Sequence, residues 1–154
     1  MRRAVRGFTM VELLAVVAIL AILAAIAAPN MGRMIRTQRI KSASFDMFSS
    51  LVFARSEAVK RNTTVTITPA SGGWQNGWSI ADSNGNSLRS APAINNISIN
   101  GGPSTVVYSG NGRLSPVGTA IQFQLEASDV PTANSRCIKV SSSGSPISSE
   151  GACS

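Results

Sequence analysis

The sequence predicts an α+β fold. A long N-terminal helix, apolar in its first half and amphipathic in its second, packs on an antiparallel β-sheet domain. Three observations carry this. Residues 13–28 form an unbroken run of sixteen apolar residues. Between Ile35 and Ala58 apolar residues recur mostly at spacings of three or four, the helical period. From Thr63 the period changes to two, in short runs separated by Gly, Pro and Asn. The boundaries are a basic leader at 1–7, an apolar helix at 8–29, an amphipathic helix at 30–62 and a β domain at 63–154.

Composition narrows the function before any motif is read. The chain has 154 residues, 14 Lys and Arg against 7 Asp and Glu, no His and two Cys. At 44% hydrophobic it is not a disordered chain. The absence of His removes Ser-His-Asp and Cys-His catalysis and His-ligated metals. The two Cys are not spaced as CxxC, and the acidic residues are scattered. Neither an enzyme nor a cofactor is expected. The positive charge sits at the N-terminal end. Arg2, Arg3 and Arg6 give the leader +3, and residues 30–61 carry a net +5. Residues 62–154 balance four basic against four acidic residues.

Residues 8–28 would cover roughly 30 Å as a helix, about a bilayer core. Three readings compete: a cleaved secretory signal with small residues near Ala25 and Ala27, a permanent membrane anchor, or an anchor that loses only its basic leader. Glu12 separates them. A carboxylate in a hydrocarbon segment costs a few kcal/mol and marks a functional site by default. A secretory signal gains nothing from it. A cut after Gly7 would expose the α-amine of Phe8 as a positive partner. Phe8 and Glu12 are four apart, so on a helix they share a face. Either an intrachain pairing or one with a neighbouring chain would offset the desolvation of both charges.

The string Arg6-Gly7-Phe8-Thr9-Met10-Val11-Glu12-Leu13-Leu14, followed by an Ala/Ile/Leu-rich helix and Pro29, resembles the class III signal of type IV pilins and type II secretion pseudopilins. The resemblance implies cleavage between Gly7 and Phe8 by a prepilin peptidase and N-methylation of Phe8. It gives Glu12 and Pro29 roles in subunit docking and assembly. Basic residues flank both ends of the apolar helix, so charge counting gives no orientation. The resemblance puts the leader in the cytoplasm and the β domain in the periplasm, anchored in the bacterial inner membrane.

Pro29 is positioned to kink the helix or interrupt its hydrogen bonding. Beyond it, Ile35, Ala43, Met47, Leu51, Ala54 and Ala58 form the stripe expected to face the core, with Phe48 and Val52 widening it. The helix is expected to end near Arg61-Asn62. Arg33, Arg36 and Arg39 lie on its polar side, a solvated face near lipid headgroups.

In the β domain, alternation marks strands around Val65–Ile67, Trp78–Ile80, Ile97–Ile99, Val106–Tyr108, 121–125 and 138–140. Gly72-Gly73, Asn84-Gly85-Asn86, Gly101-Gly102-Pro103 and Asn111-Gly112 mark turns. This half resembles the GspH/FimT branch of the pilin-like proteins. The residues that carry the resemblance are Ala54-Arg55-Ser56-Glu57-Ala58, Gly77-Trp78-Ser79-Ile80 with Asp82, Tyr108-Ser109-Gly110-Asn111-Gly112, and the strand of Cys137.

Structural readings stand beside each motif. Ala54 and Ala58 are small residues turned to the sheet, and Arg55 and Glu57 do not pair with each other. Trp74 and Trp78 are packing residues. Asp82-x-Asn84-x-Asn86 begins like a calcium loop but fails at Ser87 and Ala93, so it is a hairpin turn and no metal site is expected. In an exported domain Cys137 and Cys153 should form a disulfide. It would pin a tail in which six of residues 141–149 are Ser, and that tail should otherwise fray.

The resemblance implies a minor pilin of a type IV pilus, a structural subunit that primes or caps filament assembly. Its partners would be other minor pilins, the major pilin, the inner-membrane platform protein and the prepilin peptidase. The alternative within the family is pseudopilin H of type II secretion. The alternative of another class is DNA binding. Some FimT-type minor pilins bind DNA through a Gly-Arg-x-Arg element. Here the corresponding stretch is Ser143-Gly144-Ser145-Pro146, without Arg. A weak patch of Arg89, Arg113, Arg136 and Lys139 is what remains for a nucleic acid, on a domain with no net charge.

Overall fold

A computed structural model describes residues 8–116 and 120–154, without the side chains of residues 26–30. The chain divides into two compact units, Met1–Ile35 and Arg36–Ser154. One helix, α1 (Met10–Arg61, 52 residues), begins in the first and ends in the second.

In the first unit α1 starts at a built cap. The Thr9 hydroxyl accepts the Glu12 backbone N–H at 3.2 Å, and the Thr9 carbonyl accepts that of Leu13 at 3.1 Å. Thr9 is therefore the N-cap residue, satisfying a donor that has no intrahelical acceptor. Every described side chain from Phe8 to Ala25 is exposed. Among the described residues no helix is long and apolar enough to cross a membrane. The described side chains stop at Ala25, short of the end of the apolar run at Ala28.

In the second unit α1 turns one face to the core. Ile40, Met47, Leu51, Ala54 and Ala58 are fully buried, and Ala43 nearly so. The stripe starts later and is narrower than the sequence suggested. Ile35 is 50% exposed and Val52 43%. Phe48 is partly buried against the core. The helix ends at Arg61, and Asn62 takes a left-handed φ of 49°. The Thr63 N–H reaches the Ala58 carbonyl and the Asn62 N–H reaches Val59, each at 3.2 Å. That pair of bonds is a Schellman ending, with Asn in the position glycine usually fills.

Among the described residues nine strands follow: β1 (Val65–Pro69), β2 (Trp78–Asp82), β3 (Ser87–Ala91), β4 (Ser98–Gly101), β5 (Val106–Tyr108), β6 (Leu114–Ser115), β7 (Ile121–Glu126), β8 (Arg136–Val140) and β9 (Pro146–Glu150). They form two antiparallel sheets, in the orders β3-β2-β1-β5-β6 and β4-β7-β8-β9. Val65, Ile67, Ile80, Val106 and Tyr108 of the first sheet join Ile99, Phe123, Leu125, Ile138 and Val140 of the second in one core with the α1 stripe. Trp74 lies edge-on to Phe123, centroids 5.0 Å apart, and its indole N–H donates to the Pro103 carbonyl at 3.0 Å.

Every alternating run of the sequence is a strand. β3, β6 and β9 were not legible. Ser87-Leu88-Arg89-Ser90-Ala91 has no apolar alternation; it is held as an edge by pairing with β2. The Ser-rich tail contains β9, paired with β8 from Arg136↔Glu150 to Val140↔Pro146. Ladder hydrogen bonds, and not the disulfide alone, hold that tail.

Candidate functional site

The N-terminal junction is the site that sequence motifs single out. Gly7 lies outside the described residues, as do the side chain of Pro29 and its neighbours. Phe8 is 70% exposed and precedes the helix. In the uncut chain α1 is capped at Thr9 and starts at Met10, two residues after Phe8. Thr9-Met10-Val11-Glu12 is also a capping-box pattern, a signal the motif reading passed over. It places the Glu12 carboxylate in the first turn, where the helix dipole favours negative charge.

The C-terminal end of α1 carries a charged network. Glu57 Oε2 accepts from Arg61 Nε at 2.8 Å and Oε1 from Lys60 Nζ at 3.3 Å. Arg61 Nη1 also lies 3.5 Å from Asp82 Oδ2, at the end of β2. Asp82 is the centre of the β2–β3 turn. Its Oδ1 accepts the backbone N–H groups of Asn84 and Asn86, both at 2.9 Å, and its Oδ2 accepts from the Asn86 amide at 3.1 Å. The Asn86 amide bond is the largest influence holding the Asp82 carboxyl below its usual range; desolvation opposes it, and the two backbone donors and Arg61 add to it. Glu57 is lowered too, first by Arg61 and then by Lys60. Asp82, Asn84 and Asn86 thus make a hairpin turn. Among the described residues no cluster of three or more His, Cys, Asp or Glu is placed to hold a metal ion.

Arg55 is half-buried on α1. Its Nε donates to the Gly112 carbonyl at 3.0 Å and its Nη2 to the Ser143 carbonyl at 3.3 Å. It ties the β5–β6 turn to the β8–β9 turn, and so one sheet to the other. The turns meet closely. A Cβ on Gly144, at φ +82°, would lie 2.1 Å from the Gly112 oxygen. Tyr108 is fully buried beside them, its hydroxyl without a partner, and burial pushes its ionisation far up. Arg36, expected on a solvated face, instead reaches the Asp129 carboxylate at 2.5 Å and the Ser128 carbonyl at 3.2 Å.

The four cations of the candidate nucleic-acid patch are spread over three elements. Arg89 is on β3, with its guanidinium 5.6 Å over the Phe53 ring. Arg113 is in the β5–β6 turn. Arg136 and Lys139 are on β8, in the other sheet. Arg136 pairs with Glu150 at 2.5 Å, and Lys139 bonds Ser154. The disulfide joins Cys137 of β8 to Cys153, Cα atoms 5.1 Å apart. Gln124 fastens the same end: its Oε1 accepts the Cys153 N–H at 2.6 Å and its Nε2 donates to Ser135 Oγ at 2.8 Å.

Clefts border α1 in the second unit. One, of about 420 Å³, is lined by Arg39, Asp46, Ser50, Trp78 and Arg89 among others. Another, of about 530 Å³, lies between Phe45 and Phe48 of α1 and Ile147 of β9. Phe45 and Ile147 are 70% and 62% exposed.

Residues 43–144 match the family model described as type II transport protein GspH, and residues 2–28 match the prokaryotic N-terminal methylation motif. No curated protein matches the chain. Two crystal structures of the type IV minor pilin FimU from Pseudomonas aeruginosa PAO1, in space groups P21 and P65, are similar in fold. Each has a TM-score of 0.63 at 23% identity over 71% of this chain, and 87% and 91% of the FimU chains are covered.

Proposed function

Because the chain belongs to the GspH family of pilin-like proteins, we propose that it is a minor pilin of a type IV pilus, which primes or caps filament assembly. The observation that carries this is the order of two matched segments. An N-terminal methylation motif at 2–28 precedes a GspH domain at 43–144 on one chain. In this reading a prepilin peptidase cuts between Gly7 and Phe8, and Phe8 is N-methylated. The apolar helix holds the subunit in the inner membrane and then packs in the filament core, where Glu12 meets the amine of a neighbouring subunit. Two features support such packing. The described apolar side chains from Leu13 to Leu23 are exposed, and Phe45 and Ile147 present further uncovered apolar surface.

A second reading is favoured by the match to the type II transport protein GspH family: pseudopilin H of a type II secretion system. Deleting the gene separates the two. Loss of twitching with normal exoprotein secretion supports the pilus. The reverse supports the pseudopilus. Loss of neither overturns both.

A further inference from the structure

The outer edge of the second sheet is open. Among the described residues β9 pairs with β8 alone, and its residues 147–150 are all exposed. The hydrogen bonds beyond its two ends set which backbone groups face outward. The Gly151 N–H bonds the Ser135 carbonyl at 2.9 Å, and the Ser141 N–H bonds the Ser145 carbonyl at 3.1 Å. Antiparallel pairs alternate, so Ser145, Ile147, Ser149 and Gly151 bond inward. The N–H groups of Ser148 and Glu150, and the carbonyls of Pro146, Ser148 and Glu150, point away from β8. Pro146 thus sits where its missing N–H costs the ladder nothing.

The other sheet edges are blunted. β6 has two residues and β4 four. The β2–β3 register shifts at Ile80/Ala81, and β3 carries Arg89. β9 has five residues in regular register, with neither Lys nor Arg among them. The tail beyond it is fastened to β7 and β8 through Gln124, Cys137 and Lys139, away from this edge.

Beside the edge runs the cleft of about 530 Å³. Ser148 Oγ lies 3.0 Å from Ser44 Oγ, so the side chains of Pro146, Ser148 and Glu150 are on the α1 face of the sheet. Arg55 reaches Ser143, so α1 and β9 run in opposite directions, with Phe48 toward Pro146 and Lys41 toward Glu150. Lys41 lines the cleft and has no ion-pair partner among the described residues, whereas Arg136 is paired with Glu150.

Unpaired backbone groups that repeat every two residues, about 7 Å apart, match another polypeptide strand; a lipid has no such repeat. We propose that β9 takes an added antiparallel strand from a different protein. Alternate apolar residues of that strand fill the cleft against Phe45 and Phe48, and an acidic residue lies at its Lys41 end. In strand addition the backbone bonds give affinity and the pockets give sequence preference. The proposal holds for a pilus and a pseudopilus alike.

The test is an NMR titration of the ¹⁵N-labelled full chain, in phosphatidylcholine nanodiscs, with the peptide acetyl-Glu-Thr-Val-Thr-Val-Thr-Val-amide. The Ser148 and Glu150 amide signals should move saturably downfield and exchange more slowly. Those of Ile147 and Ser149, already bonded to β8, should change little. In the bound strand the Val amides face β9 and the Thr amides face away. N-methylation of the Val amides should therefore abolish binding, and N-methylation of the Thr amides should preserve it. That contrast depends on no variant folding. Phe45→Ser, at an exposed position, should weaken binding about fivefold or more. Lys41→Gln should weaken it about threefold. Absence of the alternating amide response, equal binding of the two methylated peptides, or full affinity in Phe45→Ser overturns the proposal. Full affinity in Lys41→Gln removes the acidic residue from it. A photo-crosslinker at Phe45 in the native host then reads the occupant. An adduct with an extended segment of another protein is expected; an adduct with lipid, or with a second copy of this chain, overturns the proposal.

Discussion

Arg55 Nε donates to the Gly112 carbonyl oxygen at 3.0 Å, across 57 residues of chain. With its second bond to Ser143 it makes one helix side chain a brace between the turns of two sheets. Hydrogen bonds from a charged donor contribute about 1.5–3 kcal/mol each. Arg55→Ala should therefore lower stability by about 2–3 kcal/mol. Arg55→Lys should recover only part, since an ammonium lacks the fork that reaches both carbonyls. Urea unfolding followed by circular dichroism checks this; an unchanged midpoint in Arg55→Ala would remove the brace.

Gly144→Ala tests the same junction from the other side. The new Cβ would need to avoid the Gly112 oxygen and adopt a left-handed φ. The expected cost is about 1–3 kcal/mol, in the range of overpacked sites. The same unfolding measurement reads it, and a neutral result would mean that the two turns separate without cost.

Stability should fall in acid. Asp82 has its carboxyl lowered in the folded state, so it contributes stability above its unfolded value, near pH 4. That contribution is lost as the pH drops through the lower folded value. Glu57 acts in the same direction. Melting temperature measured from pH 7 to pH 2 should decline chiefly below about pH 4. Asp82→Asn should be less stable at neutral pH and show a shallower acid decline. An unchanged acid profile in that variant would place the sensitivity elsewhere.

Cys153→Ser should destabilise the domain by about 3 kcal/mol if loop closure dominates. β9 should nevertheless remain paired with β8, because its ladder does not depend on the bridge. Hydrogen exchange at residues 146–150 distinguishes these effects. Rapid exchange across the whole strand would show that the disulfide alone holds it.

Glu12→Ala should spare leader cleavage and impair assembly. The helix start should survive, since Thr9 accepts the backbone N–H of residue 12 whatever its side chain. Thr9→Ala is the complementary variant, weakening the cap by about 1 kcal/mol with the carboxylate retained. Immunoblots for the processed subunit and counts of surface filaments read both steps. Normal filaments in Glu12→Ala would leave the carboxylate with a capping role only.

How much was legible follows from how local each signal is. The α1 stripe from Ala43 to Ala58, its end at Arg61, the hairpin turn at Asp82 and the Cys137–Cys153 pairing were all read from the residues. Ile35 and Val52 were assigned to the core stripe and are exposed. Periodicity gives a helix face to within one side chain's width and does not say where the sheet stops. β3 and β9 were missed because edge strands need no buried alternation. Their order comes from one partner's backbone.

The sequence by itself determined the helix-then-strand order, the neutral β domain and the N-terminal motif that names the family. Each depends on periodicity or on a contiguous string of residues. Only the tertiary structure decided that the strands form two sheets, that Arg55 joins their turns, and that the candidate cations are spread over both sheets and a turn. It also brought Arg39, Trp78 and Arg89 to the lining of one cleft. Those relations join residues far apart in the chain. They arise only when burial of one shared core fixes the distances between side chains that sequence spacing leaves free.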